Sequence, residues 1–253
     1  MEYEVFNLVM LAISVFVAGF VDSLAGGGGL ITIPAYLAFG LDPLLILGTN
    51  KMSSSMGTFL SALKFRDKIK IEKPILFKML FLALIFSAVG AWFATLINPE
   101  KLKFLILIFI PLVAIFVIKN KNFGSISSWH LMCKVKRKKV AYLISSSVSC
   151  YDGFFGPGTG TMFAVFLTKY AKMDLVQATA VAKSLNFSSN IFSLLLFAYF
   201  ARVDFYLGIT VGLFSVLGNS FGVFIGKRKG QKIIRPMLIL VSVLIILKLI
   251  FIF

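Results

Sequence analysis

Two stretches of this chain, Met79 to Pro99 and Phe205 to Gly226, contain no charged residue. Each is long enough as a helix to cross a hydrocarbon core about 30 Å thick, where every backbone polar group must be satisfied internally. Shorter uncharged runs follow the same habit at Val5 to Val21, Phe104 to Ile118 and Ser184 to Ala201. None alternates with period two, and all are too long for barrel strands. The chain therefore reads as an all-α polytopic membrane protein. Its composition agrees: 59% of residues are hydrophobic and 14% charged, with a mean hydropathy of +0.96.

The net charge of +16 comes from 26 Lys and Arg against 10 Asp and Glu. These cations gather in short segments between apolar runs, the pattern of cytoplasmic loops and not of a nucleic-acid surface. No basic region precedes the first apolar run, where Glu2 and Glu4 are the only charges, so no cleaved signal peptide is expected. Cys133 and Cys150 lack metal or redox spacing and His130 is the sole histidine, so no metal site and no cofactor is expected.

The rare polar residues repeat. "DSLAGGGGLITIP" from Asp22 is answered by "DGFFGPGTGTMFA" from Asp152, and Asp42 and Lys51 return in the same order as Asp174 and Lys183. An ordered recurrence of Asp, Gly-rich break, Asp and Lys is what a duplicated transporter core looks like. The expected units are a first repeat at 1–119, a basic linker at 120–139 and a second repeat at 140–253.

Charge then constrains topology. Were each Gly-rich segment part of one continuous crossing, the basic loop at 227–235 would lie opposite those at 64–78 and 119–139, against the positive-inside rule. If residues 5–40 and 140–170 are instead hairpins of two part-helices turning at the glycines, each repeat keeps three full crossings. Those fall at 44–63, 77–98 and 102–119, then at 176–200, 205–226 and 236–253. All basic loops then face the cytoplasm of a plasma-membrane protein, both termini lie outside, and the second repeat is inverted relative to the first. Pro111 is expected to kink the scaffold helix that contains it.

At membrane depth, glycine permits tight turns that expose backbone N–H groups, and a helix start adds a positive dipole end. Gly26, Gly27, Gly28 and Gly29 in the first repeat, with Gly156, Gly158, Thr159 and Gly160 in the second, are thus candidates to hold a small oxyanion. Close helix packing is the competing reading of the same glycines. Lys51, Ser54 and Thr58 share one helical face, and Lys183, Asn186 and Asn190 repeat the pattern. Lysines this deep should face the bundle interior, either free to meet an anion or fixed in ion pairs with Asp22 or Asp152. Asp22 and Asp152 can cap the Gly-rich turns or titrate as proton carriers; Asp42 and Asp174 read as helix N-caps.

At this point "GFVDSLAGGGGLITIPAYLAFGLDPLLILGTNK", with "DGFFGPGTGTMFAVFL" and "QATAVAKSLNFSSN", resembles the two signatures of the TauE/SafE sulfite exporter family. The resemblance spans nearly the whole chain. It implies a secondary carrier of small sulfur-containing anions such as sulfite or organosulfonates. It adds Thr49 to the expected anion-binding residues beside the glycines, Lys51, Lys183, Asn186 and Asn190. Asn50 departs from the family, where Ser is frequent before the motif lysine. The expected partners are that anion and the lipid bilayer, with a homodimer permitted.

Two other classes stand beside the carrier. An enzyme would need a nucleophile or an acid/base pair, and no Ser/His, Cys/His or close two-carboxylate arrangement is present. A non-transporting accessory subunit would have little use for polar stripes facing its own centre.

Overall fold

The computed structural model describes residues 5–102, 104, 105, 108 and 127–229. Among them the chain is helical, with no strand. The first repeat contributes α1 (Val5–Ala25), α2 (Gly29–Ala38), α3 (Pro43–Phe65) and α4 (Lys73–Thr95). The second contributes α5 (Lys134–Phe154), α6 (Thr159–Lys169), α7 (Leu175–Tyr199) and α8 (Phe205–Lys229). The lengths run 21, 10, 23 and 23 residues, then 21, 11, 25 and 25, so the repeat of motifs is also a repeat of elements.

Local chemistry sets the boundaries. Asp42 accepts from the Leu44 N–H at 3.0 Å, with Pro43 opening α3, and Asp174 accepts from the Gln177 N–H at 2.9 Å at the head of α7. Both aspartates are the N-caps the sequence led us to expect. Pro74 sits in the first turn of α4, where its missing N–H costs nothing.

The repeats interlock instead of standing side by side. α1 packs along α8 and α4 along α5, while α3 and α7 cross between them. Small residues bring the backbones together: a Cβ on Gly90 would lie 1.9 Å from the Cys150 carbonyl of α5, and one on Gly218 would lie 2.1 Å from the Phe16 carbonyl of α1. Large apolar side chains point outward, among them Phe6, Ile13, Phe77, Phe81, Leu217 and Phe221, as a lipid-facing surface requires.

Among the described residues, four helical segments are long and apolar enough to cross a membrane: Val5–Leu24, Lys73–Thr95, Leu175–Tyr199 and Phe205–Arg228. α3 is as long as α4 but less apolar, because Thr49, Asn50, Lys51, Ser53, Ser55, Thr58 and Ser61 lie along it. All seven are buried against other helices.

Polar contacts fix which helix ends meet. Asp67, just beyond α3, pairs with Lys227 of α8 at 2.8 Å, Glu72 ahead of α4 pairs with Arg137 of α5, and Ser127 bonds Gln177 of α7 at 3.2 Å. The basic segments at 64–78, 134–139 and 227–229 therefore gather at one end. Toward the other, the Asp204 N–H ahead of α8 donates to Thr49 Oγ1 of α3 at 3.0 Å.

The structure modifies two expectations. The first arm of each hairpin is a 21-residue helix, as long as a full crossing; only α2 and α6 are short. The second hairpin also begins at Lys134, since nothing in the run Lys134 to Lys139 breaks a helix, so residues assigned to the linker are helical. Pro111, residues 120–126, the crossing at 236–253 and most of that at 102–119 lie outside the described residues.

Candidate functional site

The Gly-rich breaks meet at the centre. Gly26 and Gly27 adopt φ of +76° and +86°, Gly156 and Gly158 +92° and +79°, a left-handed region where glycine is at ease. A Cβ on Gly26 would stand 2.3 Å from the Gly160 carbonyl carbon, so the two breaks touch backbone to backbone. α2 and α6 begin at this contact; in α2 the Leu30 and Ile31 N–H groups donate to the Gly27 and Gly28 carbonyls, both at 2.9 Å, and in α6 the Thr159 N–H donates to the Gly156 carbonyl at 3.2 Å.

Beside the contact lies a small polar cavity of about 30 Å³, room for water or an anion of a few atoms. Its walls include Asp22, Gly27, Gly28, Gly29, Lys51, Ser54, Asp152, Gly156, Gly158, Thr159, Gly160, Asn186 and Asn190. Three expected residues are elsewhere. Gly26 is spent on the contact with Gly160, Thr49 holds the Asp204 N–H on another face of α3, and Lys183 lies behind Asp22.

Both lysines are paired, each with the aspartate of the other repeat. Lys51 Nζ lies 2.8 Å from Asp152 Oδ1 and donates to Asn190 Oδ1 at 2.9 Å. Lys183 Nζ lies 3.1 Å from Asp22 Oδ2 and donates also to the Asp22 carbonyl. All four residues are buried. Of the two readings open for these lysines, the structure adopts ion pairing with the aspartates: two cations and two anions leave the cluster neutral. An unpaired charge at this depth would carry a desolvation penalty of several kcal/mol, which pairing offsets.

The second ligands of the aspartates differ. Asp22 Oδ1 accepts from the Gly28 N–H at 3.1 Å, capping the Gly-rich turn. Asp152 Oδ2 instead accepts from the Ser189 hydroxyl. Gly57 holds the place of Ser189 in the matching helix of the first repeat and has no hydroxyl to offer.

Further lining residues escaped sequence reasoning as candidates. Thr32 of α2 donates to Asn50 of α3 at 2.6 Å, and Ser53 takes part in a 3.1 Å hydrogen bond with Tyr36. Ser215 and Asn219 of α8 also reach the cavity; Asn219 Oδ1 accepts from Ser61 at 2.6 Å while its Nδ2 donates to the Ser215 carbonyl at 2.9 Å. Asn219 did carry a signal: it is the one amide side chain in the uncharged run from Phe205 to Gly226.

Among known proteins, the family model described as sulfite exporter TauE/SafE matches residues 11–249. A Sinorhizobium sp. protein named probable membrane transporter protein ORF9 is 33% identical over 242 residues, covering 96% of this chain and 92% of the relative. A probable membrane transporter protein of Haemophilus influenzae is 31% identical over 241 residues, covering 93% and 91%. The probable membrane transporter protein YfcA of Escherichia coli K12 is 32% identical over 249 residues, covering 96% and 90%. No solved structure matches the chain significantly.

Proposed function

The chain belongs to the sulfite exporter TauE/SafE family, and from that premise we propose that it is a secondary carrier exporting a small sulfur-containing oxyanion such as sulfite or an organosulfonate. The observation that carries this reading is the central cavity where two helix starts, two Gly-rich breaks and two crossed Lys–Asp pairs converge. Backbone N–H groups and dipoles at the starts of α2 and α6 favour an anion there. Lys51 lines the cavity and meets that anion; Asn186 and Asn190 supply further polar contacts. Ser54 and Thr159 complete the small polar wall.

The gathering of the basic segments at one end supports an orientation with that end in the cytoplasm of a plasma-membrane protein. The interlocking of α1 with α8 and α4 with α5 supports two repeats inverted about an axis in the membrane plane, which rock about the cavity to alternate access. The described cavity wall holds no His or Cys, and each of its two aspartates is paired with a lysine; in this reading the anion crosses unaltered.

The test is uptake of labelled sulfite into proteoliposomes holding the purified protein, beside Lys51→Met. Saturable wild-type flux that disappears in the variant is expected. Flux no greater than in empty liposomes would remove sulfite as substrate, and undiminished flux in a correctly inserted variant would remove Lys51 from the anion's path.

A further inference from the structure

Resting on that reading, we infer that the two ion pairs have separate duties: Lys51–Asp152 is the working pair, with Asp152 taking up a proton as the anion binds Lys51, while Lys183–Asp22 is a fixed strut.

The hydrogen-bond partners of the two carboxylates carry the distinction. Each oxygen of Asp22 faces a donor that cannot reverse, the Gly28 N–H on Oδ1 and the Lys183 ammonium on Oδ2. A proton on either oxygen would meet another hydrogen. The same ammonium also holds the Asp22 carbonyl, so pair and backbone turn are tied together. Asp152 is placed differently. Its Oδ2 faces the Ser189 hydroxyl, which can donate or accept. The Ser189 hydroxyl has a second acceptor in the Asn186 carbonyl at 3.1 Å. When Asp152 is ionised, Ser189 donates to it; when Asp152 carries a proton on Oδ2, that proton goes to Ser189 Oγ and the serine turns its own to Asn186. The hydrogen bond is kept in both states.

Access points the same way. Both aspartates line the cavity, but of the two ammoniums only that of Lys51 does, with Asn190 beside it. A Cβ on Gly156 would stand 3.3 Å from Lys51 Nζ, which sets that ammonium against the second Gly-rich break. Lys51 also keeps Asn190 as a partner when Asp152 lets go.

Charge supplies the coupling. The cluster is neutral at rest, so an anion entering alone would leave uncompensated negative charge in a buried site. A proton arriving with it converts Asp152 to the neutral acid, offsets one unit of that charge and frees Lys51 for the anion. On the far side the anion leaves, Asp152 returns its proton and the pair closes again. The charged or titratable groups around Asp152 are Lys51 from α3, Lys183 of α7 and Asp22 of α1, which hold each other, and Tyr151 of α5. The Tyr151 hydroxyl is committed to the Pro157 carbonyl at 2.8 Å. The part of α4 packed here presents Ser87, and α6 presents its glycine and threonine start.

The test is calorimetric titration of sulfite into the purified protein in buffers of different ionisation enthalpy, which counts protons taken up per anion bound. After subtraction of sulfite's own titration, the wild type should take up about one proton; binding with none overturns the proposal. Asp152→Asn imitates the protonated acid, so it should bind sulfite more tightly than the wild type and with no proton uptake. Loss of binding in that variant, or continued uptake, overturns the assignment. Asp22→Asn should keep the wild-type proton count, and its disappearance there would move the role to Asp22. Absence of wild-type binding would strike at sulfite as substrate and so at the function itself, an outcome separable from all of these.

Discussion

Lys51 and Lys183 stand at matching places on matching helices, each below an aspartate N-cap and each salt-bridged to the other repeat. Yet one ammonium borders the cavity and the other is sealed behind its partner. Duplication delivered two equivalent ion pairs, and small substitutions nearby separated them: Ser189 answers Gly57, and Asn190 answers Thr58. Asn190 reaches across to Lys51, whereas Thr58 turns its hydroxyl to the Ser54 carbonyl of its own helix at 2.7 Å. Within a pseudo-symmetric core, the residues in which the repeats disagree set the surroundings of the two pairs apart.

The most forceful way to break this comparison is to neutralise each pair in turn. Lys51→Met and Lys183→Met should each destabilise the protein by about 3–5 kcal/mol, because each leaves a buried aspartate unpaired. Removing the orphaned charge as well, in Lys51→Met with Asp152→Asn and in Lys183→Met with Asp22→Asn, should restore most of that loss in thermal unfolding of the purified protein. Only the second double variant should retain sulfite flux. If both doubles transport, or neither does, the pairs are not functionally distinct.

How far the sequence leads depends on whether an interaction is local. The N-caps Asp42 and Asp174 were legible because a cap bonds residues two or three positions away. So were the lysine stripes, since helical spacing alone puts Lys51, Ser54 and Thr58 on one face. Thr49 was misplaced for the same geometric reason: two residues from Lys51 is about 200° around the helix, so motif neighbourhood did not mean a shared face. Whether the lysines were free or paired was out of reach, because their partners lie 101 and 161 residues away and arrive only when the helices pack. Ser215 and Asn219 were obscure in another way, since nothing in α8 says which neighbour its polar residues will meet.

A second comparison concerns the helix pairs that lock the repeats together. Gly90 on α4 faces α5 as Gly222 on α8 faces α1. A Cβ on Gly90 would lie 1.9 Å from the Cys150 carbonyl and 2.7 Å from the Phe154 N, both backbone. On Gly222 the closest atom, at 1.8 Å, is the Ser23 hydroxyl, which can rotate away, and the backbone follows at 2.5 Å from the Phe20 carbonyl. Alanine should therefore cost more at Gly90 than at Gly222, both within the ~1–3 kcal/mol usual for overpacking. Unfolding of the two variants in the same detergent decides it, and equal losses would mean that the α1–α8 contact is as unyielding as the α4–α5 contact.

The smallest effect is expected at the basic end, where exposure replaces burial. Asp67 pairs with Lys227 at 2.8 Å and with Lys68 at 3.6 Å, but its side chain is 51% exposed. The hydrogen bond from Lys227 holds the Asp67 carboxyl below its ordinary value. A carboxyl depressed in the folded state stabilises above its unfolded pKa and loses that contribution as pH falls through the folded one. Asp67→Asn should thus lower stability near neutral pH by no more than ~1 kcal/mol, given solvent screening. The difference from wild type should fade as pH drops below the usual carboxylate range, and 1 M salt should shrink it at neutral pH. A loss comparable to that of Lys51→Met, or one indifferent to salt, would mean that the turn after α3 bears on the fold as heavily as the buried pairs at its centre.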